Sequence, residues 1–124
     1  MLKKVEISIL VLLFVFAFYC ALTIGISWDE PYEMTIGKDR LKYLISFGSY
    51  KYFDFHIHTK FYPAFYNTLA IFVTKMFPNK FEIEIWHLTN TTFSIFTVFG
   101  IYKITSNLFD KKVGKIVFLL CFIN

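Results

Sequence analysis

An uninterrupted apolar run near the N-terminus limits the fold of this chain more than any other feature. The run extends from Ile7 to Ile26 and contains no charged residue. About 20 apolar residues suffice for a helix to cross the hydrocarbon core of a bilayer. Lys3 and Lys4 precede the run, and basic residues favour the cytoplasmic side of a membrane. The sequence therefore predicts a first membrane span with a cytoplasmic N-terminus.

A cleaved signal peptide has a similar basic start, so it is the alternative for this run. Signal peptides have shorter apolar cores and end in small residues at the cleavage position. In this chain Phe18, Tyr19 and Leu22 interrupt the candidate cleavage positions. The pattern favours an uncleaved anchor.

The rest of the composition supports a membrane protein. Of the 124 residues, 56% are hydrophobic, and 17 are Phe, which is more apolar and aromatic than an ordinary soluble domain. The net charge of +4 comes from scattered Lys residues, and no nucleic-acid-binding motif is present. We therefore expect membrane lipid, and no nucleic acid, as a partner.

Two further apolar runs predict a polytopic protein. One run, about 85–104, is long enough for a second span, and another begins at Val113 and is only half a span long where the sequence ends. The predicted fold class is an all-α membrane protein, and residues 1–124 form the N-terminal part of a single polytopic domain. Residues 27–84 then form an external loop. We expect the chain to be a fragment of a longer protein, located in the inner (plasma) membrane.

Two juxtamembrane helices are predicted in the external loop. Asp29 or Glu30 can cap the first, Pro31 suits its first turn, and Gly48 suits its C-terminal end. The second is Tyr62–Phe77, an amphipathic segment that Pro63 starts and Pro78 stops. One side carries Phe65, Leu69, Phe72, Val73 and Met76, and another carries Asn67, Thr68, Thr74 and Lys75. This pattern is typical of a helix lying in the membrane interface.

The distribution of lysines supports a flat position for Tyr62–Phe77. The turn after the second span carries Lys103, Lys111, Lys112 and Lys115. If Tyr62–Phe77 does not cross the membrane, this turn is cytoplasmic, as the positive-inside rule prefers.

An acidic cluster follows the first span, in the sequence Ser27-Trp28-Asp29-Glu30-Pro31-Tyr32-Glu33. Helix capping alone accounts for one carboxylate. Two adjacent carboxylates at a membrane exit also suit a catalytic role, in which one acts as a general base or orients an acceptor hydroxyl. They also suit a divalent cation that screens a lipid phosphate. Asp29 and Glu30 are therefore the predicted catalytic residues, and Glu33 is interpreted as a helix-turn charge.

Three further polar residues form a D-x-H-x-H pattern, which contains Asp54, His56 and His58. In an extended segment these side chains point the same way and could bind a metal, although such residues in an aromatic loop often only face solvent. Lys51 and Lys60 are candidates for binding a lipid phosphate, with solvated surface charges as the alternative.

The layout resembles the N-terminal part of the GT-C superfamily of polytopic glycosyltransferases. It is similar to the branch that contains the protein mannosyltransferases and the lipid A aminoarabinose transferase. The matching motifs are Trp28-Asp29-Glu30 at the span exit, Tyr62-Pro63-Ala64-Phe65-Tyr66, Met76-Phe77-Pro78, and Ser106-Asn107-Leu108-Phe109-Asp110-Lys111-Lys112. The chain departs from the family at Phe61-Tyr62-Pro63, where family members often have a charged residue or His before the Pro.

The resemblance implies a glycosyltransferase that moves a sugar from a polyprenyl-phosphate carrier to an acceptor on the extracytoplasmic side. Asp29 matches the family's essential acidic residue, and Glu30 matches the acid that often follows. Basic loop residues are then expected to hold the carrier phosphate. A small non-enzymatic membrane protein, or a subunit of a membrane complex, is the alternative, since it also explains the spans and the aromatic anchors.

Overall fold

The computed structural model describes residues 2–50 and 65–123. These residues form α-helices and no strand, which confirms the all-α class for the described part of the chain. The elements in chain order are α1 (Leu2–Thr23), α2 (Glu30–Ile45), α3 (Phe65–Thr74), a 3₁₀ turn (Asn79–Phe81), α4 (Glu82–Leu108) and α5 (Lys111–Ile123). The chain divides into two compact units, Met1–Thr89 and Asn90–Asn124.

Helix α1 contains the apolar run that predicted the first span. It begins earlier than the run and ends at Thr23, three residues before Ile26, where Gly25 follows and favours a break in the helix. The segment Lys4–Thr23 is long and apolar enough to cross a membrane, and little of it is buried within the protein. A signal sequence passes the same test, so α1 alone does not establish a membrane protein.

Helix α4 covers the predicted second span at 85–104, but it is less apolar than a typical span. It has 27 residues, and among the described helices only α1 is both long and apolar enough to cross a membrane. Polar residues such as His87, Asn90 and Thr91 lie within it. A second span and a multi-pass topology therefore stay predictions.

Helix α2 lies where the sequence predicted the first juxtamembrane helix. Pro31 lies in its first turn, and Asp29 occupies the N-cap position. The expected side-chain cap is absent in α2: the Asp29 side chain makes no capping hydrogen bond, and its backbone carbonyl accepts from the amides of Tyr32 and Glu33 instead. After the helix, Gly48 has φ of +85°, a conformation that glycine adopts without strain.

Helices α2 and α3 pack against each other and form most of the first unit's core. The core contains Met34 of α2, Ala70 and Ile71 of α3, and Trp86 of α4, with Leu41 packed against it. Leu44 and Ile45, near the C-terminal end of α2, are exposed. Helix periodicity locates an apolar stripe without revealing which part of it a neighbouring helix covers.

Helix α3 turns its bulky apolar side away from α2. Its buried residues are Thr68, Ala70, Ile71 and Thr74, whereas Phe65 is 80% exposed and Phe72 and Met76 are also exposed. Small residues on the buried side let the two helix backbones approach. The amphipathic pattern predicted from the sequence is therefore present, and its apolar side faces away from the protein core.

The close contact between α2 and α3 occurs at Gly37. A Cβ atom at Gly37 would lie 2.5 Å from the Asn67 carbonyl oxygen and 2.8 Å from Ile71 Cγ1. Both distances are too short for van der Waals contact, and one of the atoms is backbone. Gly37 therefore has a packing role, although it lowers the helix propensity of α2.

We expect Gly37→Ala to destabilise the protein by about 1–3 kcal/mol, because the methyl group must push α3 away from α2. Gly100→Ala in α4 is the matched control, since a Cβ there would meet nothing within 4 Å. That change should raise stability by about 0.5–1 kcal/mol through helix propensity. Thermal unfolding followed by circular dichroism in micelles measures both. Equal effects of the two substitutions would contradict the packing role of Gly37.

The second unit contains the C-terminal part of α4 and α5. Phe118 of α5 packs between the rings of Phe99 and Tyr102, with centroid distances of 5.3 Å and 6.1 Å. Gly114 lies directly against Ser106, so a small residue is needed there. Asp110 caps α5 by accepting from the backbone amides of Lys112 and Val113.

Candidate functional site

The acidic cluster lies between the end of α1 and the first turn of α2. Asp29 is fully exposed there, and its Oδ1 accepts a hydrogen bond of 2.6 Å from the Ser27 hydroxyl. The neighbouring Trp28 is 94% exposed. Asp29 is thus an accessible carboxylate, positioned by a short hydrogen bond next to the candidate membrane helix.

The local hydrogen bonds favour the ionised form of Asp29. The Ser27 hydroxyl contributes most, followed by the Asp29 backbone amide. Together with the Glu30 amide they outweigh desolvation and lower the pKa of the Asp29 carboxyl. A group with a lowered pKa is a weak general base at neutral pH. Asp29 is therefore better suited to accept a hydrogen bond or to attract positive charge than to take up a proton.

Glu30 has a different environment, although it is adjacent in sequence. Its side chain is 17% exposed, and its Oε1 lies 3.0 Å from Nε2 of His87 in α4. Its Oε2 accepts a 2.7 Å hydrogen bond from the Ser27 backbone amide. Both carboxylate oxygens therefore already have partners within the protein.

His87 connects this site to the end of α1. Its side chain is only 6% exposed, and its Nδ1 lies 3.1 Å from the Ala21 carbonyl oxygen. The Nε2 contact with Glu30 is close enough for an ion pair, but it is not aligned as a hydrogen bond. No local signal in the sequence pointed to its pairing with Glu30.

Glu33 is the third carboxylate of the cluster. Burial raises the pKa of its carboxyl, and the negative charges of Asp29 and Glu30 add to that effect. Burial also raises the pKa of Tyr66 in α3 to about 12, with Glu33 contributing. The Glu33 carboxyl is therefore more easily protonated than the Asp29 carboxyl.

A second ionic cluster joins α2, the end of α3 and α4. Glu82 Oε2 accepts from Lys38 Nζ at 3.0 Å, and its Oε1 accepts from Lys75 Nζ at 3.4 Å. Burial opposes ionisation of Glu82, but the two lysines outweigh it and lower the pKa of the Glu82 carboxyl. These contacts tie the three helices together at one end of the first unit.

The Glu82 cluster predicts a loss of stability in acid. Because the folded pKa of Glu82 lies below its ordinary value of 4.5, the stabilisation from these ion pairs is present above pH 4.5 and is lost as the pH falls through the folded pKa. The pairs are partly exposed, so each should contribute about 0.2–1 kcal/mol. We expect Glu82→Gln to be less stable than wild type at pH 7 and equally stable at pH 3, in urea unfolding at both pH values. If Glu82→Gln is less stable than the wild type by the same amount at both pH values, the ion-pair explanation is contradicted.

Several predicted site residues lie outside the described part of the chain. They are the metal candidates Asp54, His56 and His58 and the phosphate candidates Lys51 and Lys60. Within residues 2–50 and 65–123, no group of three His, Cys, Asp or Glu side chains is arranged to hold a metal ion. The acidic cluster instead places Glu30 against His87 and leaves Asp29 exposed.

No protein-family model, characterised protein or solved structure matches this chain. The fold and site therefore define only a class: across residues 2–50 and 65–123 the chain is all-α and has one candidate membrane helix. An acidic cluster follows that helix, and the buried His87 of α4 contacts Glu30 of this cluster.

Proposed function

We propose that the chain is the N-terminal part of a membrane glycosyltransferase that takes a sugar from a polyprenyl-phosphate carrier. The proposal rests on the resemblance of the Trp28-Asp29-Glu30 motif and the surrounding layout to the GT-C superfamily. The observation that carries it is the state of Asp29, which is exposed and held ionised directly after the candidate membrane helix. A carboxylate at such a boundary is suited to orient the acceptor group of a reaction whose donor is held in lipid.

In this proposal Asp29 accepts a hydrogen bond from the acceptor hydroxyl and orients it for attack on the anomeric carbon. Its negative charge also stabilises positive charge that develops at the reacting centre. Glu30 supports Asp29, because its oxygens bind Ser27 and His87 and are not available to substrate. The predicted catalytic pair is thus one substrate-facing residue and one supporting residue.

The exposed apolar surface suits a lipid-linked donor. Most of α1 is exposed, and so are Phe65 and Phe72 on the outer side of α3. Helix α3 lying in the interface would bury these side chains in lipid while its Gly37-facing side remains packed on α2. The polyprenyl tail would then approach the acidic cluster from the membrane, and the candidate cations Lys51 and Lys60 would attract its phosphate.

A transfer assay with the full-length protein in membranes tests the proposal. Membranes that contain the protein should move radiolabelled sugar from a polyprenyl-phosphate-sugar pool to an acceptor that organic solvent does not extract. Membranes with an empty vector provide the control. No transfer above that control, across polyprenyl phosphates carrying hexoses and aminopentoses, would refute the proposed function.

We also predict that residue 42 lies outside and residue 112 inside the cytoplasmic membrane. Cys20 and Cys121 are free thiols, so both are first replaced by Ser. Single cysteines at Lys42 and Lys112, both exposed in the structure, are then treated with a membrane-impermeant maleimide in intact cells. Labelling of Lys42→Cys alone is expected, with Lys112→Cys reacting only after permeabilisation. Equal labelling of both in intact cells would refute the flat placement of α3.

The alternative function, a non-enzymatic membrane subunit, is favoured by one observation. The ion pairs of Glu30 and Glu82 join separate helices, and such contacts can serve structure without chemistry. For that alternative, Asp29 would be a solvated charge at a helix start. The transfer assay separates the two functions, because a structural subunit has no donor-dependent activity.

A further inference from the structure

A buried histidine from α4 contacts two segments that are far from it in the sequence. His87 lies against the Ala21 carbonyl near the end of α1 through Nδ1 and against the Glu30 carboxylate at the start of α2 through Nε2. The segment between these two contacts contains Ser27 and Asp29. His87 therefore holds both ends of the segment that carries the acidic cluster.

The hydrogen-bonding chemistry of the ring determines which atom donates. A carbonyl oxygen can only accept, so Nδ1 carries a proton and donates to Ala21. Nε2 then lies 3.0 Å from Glu30 Oε1. The protonated ring and the carboxylate form an ion pair at this distance, and the contact places the buried ring directly against Glu30.

The contact continues from Glu30 to Asp29 through Ser27. Glu30 Oε2 accepts from the Ser27 backbone amide at 2.7 Å, and the Ser27 hydroxyl donates to Asp29 Oδ1 at 2.6 Å. Ser27 is thus hydrogen-bonded to Glu30 through its backbone amide and to Asp29 through its hydroxyl. A change in the position of Glu30 would move Ser27 and, with it, the hydrogen bond that contributes most to the ionised state of Asp29.

We propose that His87 is a positioning residue that fixes Glu30 and, through Ser27, orients the Asp29 carboxylate. The positioning itself is a property of the fold, whereas its importance for sugar transfer rests on the proposed function. His87 touches no substrate in this proposal, and its buried position agrees with that role. Its effect on the reaction passes through the Ser27 amide and hydroxyl.

Two substitutions separate the two contacts of the ring. The amide nitrogen of Gln can take the place of Nε2, so His87→Gln keeps a donor for Glu30 and loses the donor for Ala21. The amide nitrogen of Asn takes the place of Nδ1, so His87→Asn keeps the donor for Ala21 and loses the one for Glu30. His87→Gln removes only the contact with Ala21, and His87→Asn removes only the contact with Glu30, so each variant is the control for the other.

Amide hydrogen exchange of Ser27, measured by NMR on the full chain in micelles, tests the positioning directly. In His87→Asn we expect exchange of the Ser27 amide to accelerate about tenfold, because Glu30 is no longer held in place and its hydrogen bond with that amide is lost. In His87→Gln the exchange rate should stay near that of the wild type. The Gly114 amide, which donates to Asp110 in the second unit, should be unchanged in both. Equal acceleration in both variants, or none in either, would overturn the proposal.

Sugar-transfer kinetics of the full-length protein form the second measurement. His87→Asn should lower kcat at least tenfold with little change in KM, and His87→Gln should recover most of the rate. If neither the wild type nor the variants transfer sugar, but Ser27 amide exchange responds to the two substitutions as expected, the proposed function fails and the positioning role stands. If transfer occurs but both variants lose it equally, the positioning role fails and the proposed function stands.

Discussion

Asp29→Asn should abolish sugar transfer by the full-length protein. The substitution keeps the shape of the side chain and an oxygen that can accept from the Ser27 hydroxyl, which lies 2.6 Å from Asp29 Oδ1. It removes the negative charge, and with it the ability to stabilise positive charge at the reacting centre. Removal of one such group typically slows a reaction by about 10²–10⁴-fold. We expect this loss in kcat with little change in KM, measured with a polyprenyl-phosphate-linked donor in membranes.

Glu33→Gln provides the control for Asp29→Asn. Glu33 belongs to the same cluster, but burial raises the pKa of its carboxyl, and it has no role in the proposed reaction. Its variant should transfer sugar at nearly the wild-type rate. The opposite pattern, with an inactive Glu33→Gln and an active Asp29→Asn, would show that the reaction needs a proton acceptor and that Glu33 supplies it.

The pH profile separates the same two roles. Since hydrogen bonds lower the pKa of Asp29, Asp29 stays ionised throughout the neutral range and should leave kcat independent of pH there. A base with a raised pKa, such as Glu33, would instead give a rate that rises with pH until that base is ionised. A kcat that does not change with pH across the mildly acidic and neutral range thus supports Asp29 as an orienting carboxylate.

Local patterns predicted the helices well, because their signals lie within a few residues of one another. Pro31 and the acids around it define the start of α2, and the span-length apolar run defines α1. Helix periodicity also separated the two sides of α3. It could not show which side packs, since that depends on the contact between Gly37 and the α3 backbone. A glycine that weakens an isolated helix is thus required by the tertiary packing.

The candidate site was predictable only in part for the same reason. The sequence placed Asp29 and Glu30 together, but their different environments come from a partner in another helix. His87 lies in α4, far from Glu30 in the sequence, and nothing in the local sequence around either residue signals the contact. The sequence ranked Asp29 above Glu30 by the resemblance, whereas the structure distinguishes them by exposure and by hydrogen bonds. Residues 51–64, which carry the predicted metal and phosphate candidates, lie outside the described ranges.

Trp86→Ala should cause the largest loss of stability of any single substitution in the described core. Trp86 is completely buried and packs with Met34, Ala70 and Ile71, so it joins α2, α3 and α4. Truncation of a buried aromatic side chain typically costs about 3–5 kcal/mol, because it removes apolar contacts and leaves a cavity. That is a large share of the stability of about 5–15 kcal/mol that is usual for a folded protein. Urea unfolding in micelles, followed by circular dichroism, measures the loss.

Trp86→Phe is the matched control, and it tests why a Trp occupies this position. The indole Nε1 is buried and has no hydrogen-bond partner within the described residues, so Phe removes a polar group that gains nothing from its environment. Phe should therefore retain most of the stability, with a loss well below that of Ala. If Phe and Ala cost the same, the indole N–H has a partner that the described residues do not contain. If Ala costs less than about 1 kcal/mol, the packing of α2, α3 and α4 around Trp86 is wrong. His87 is adjacent to Trp86 in α4, so that result would also remove the basis for its contact with Glu30.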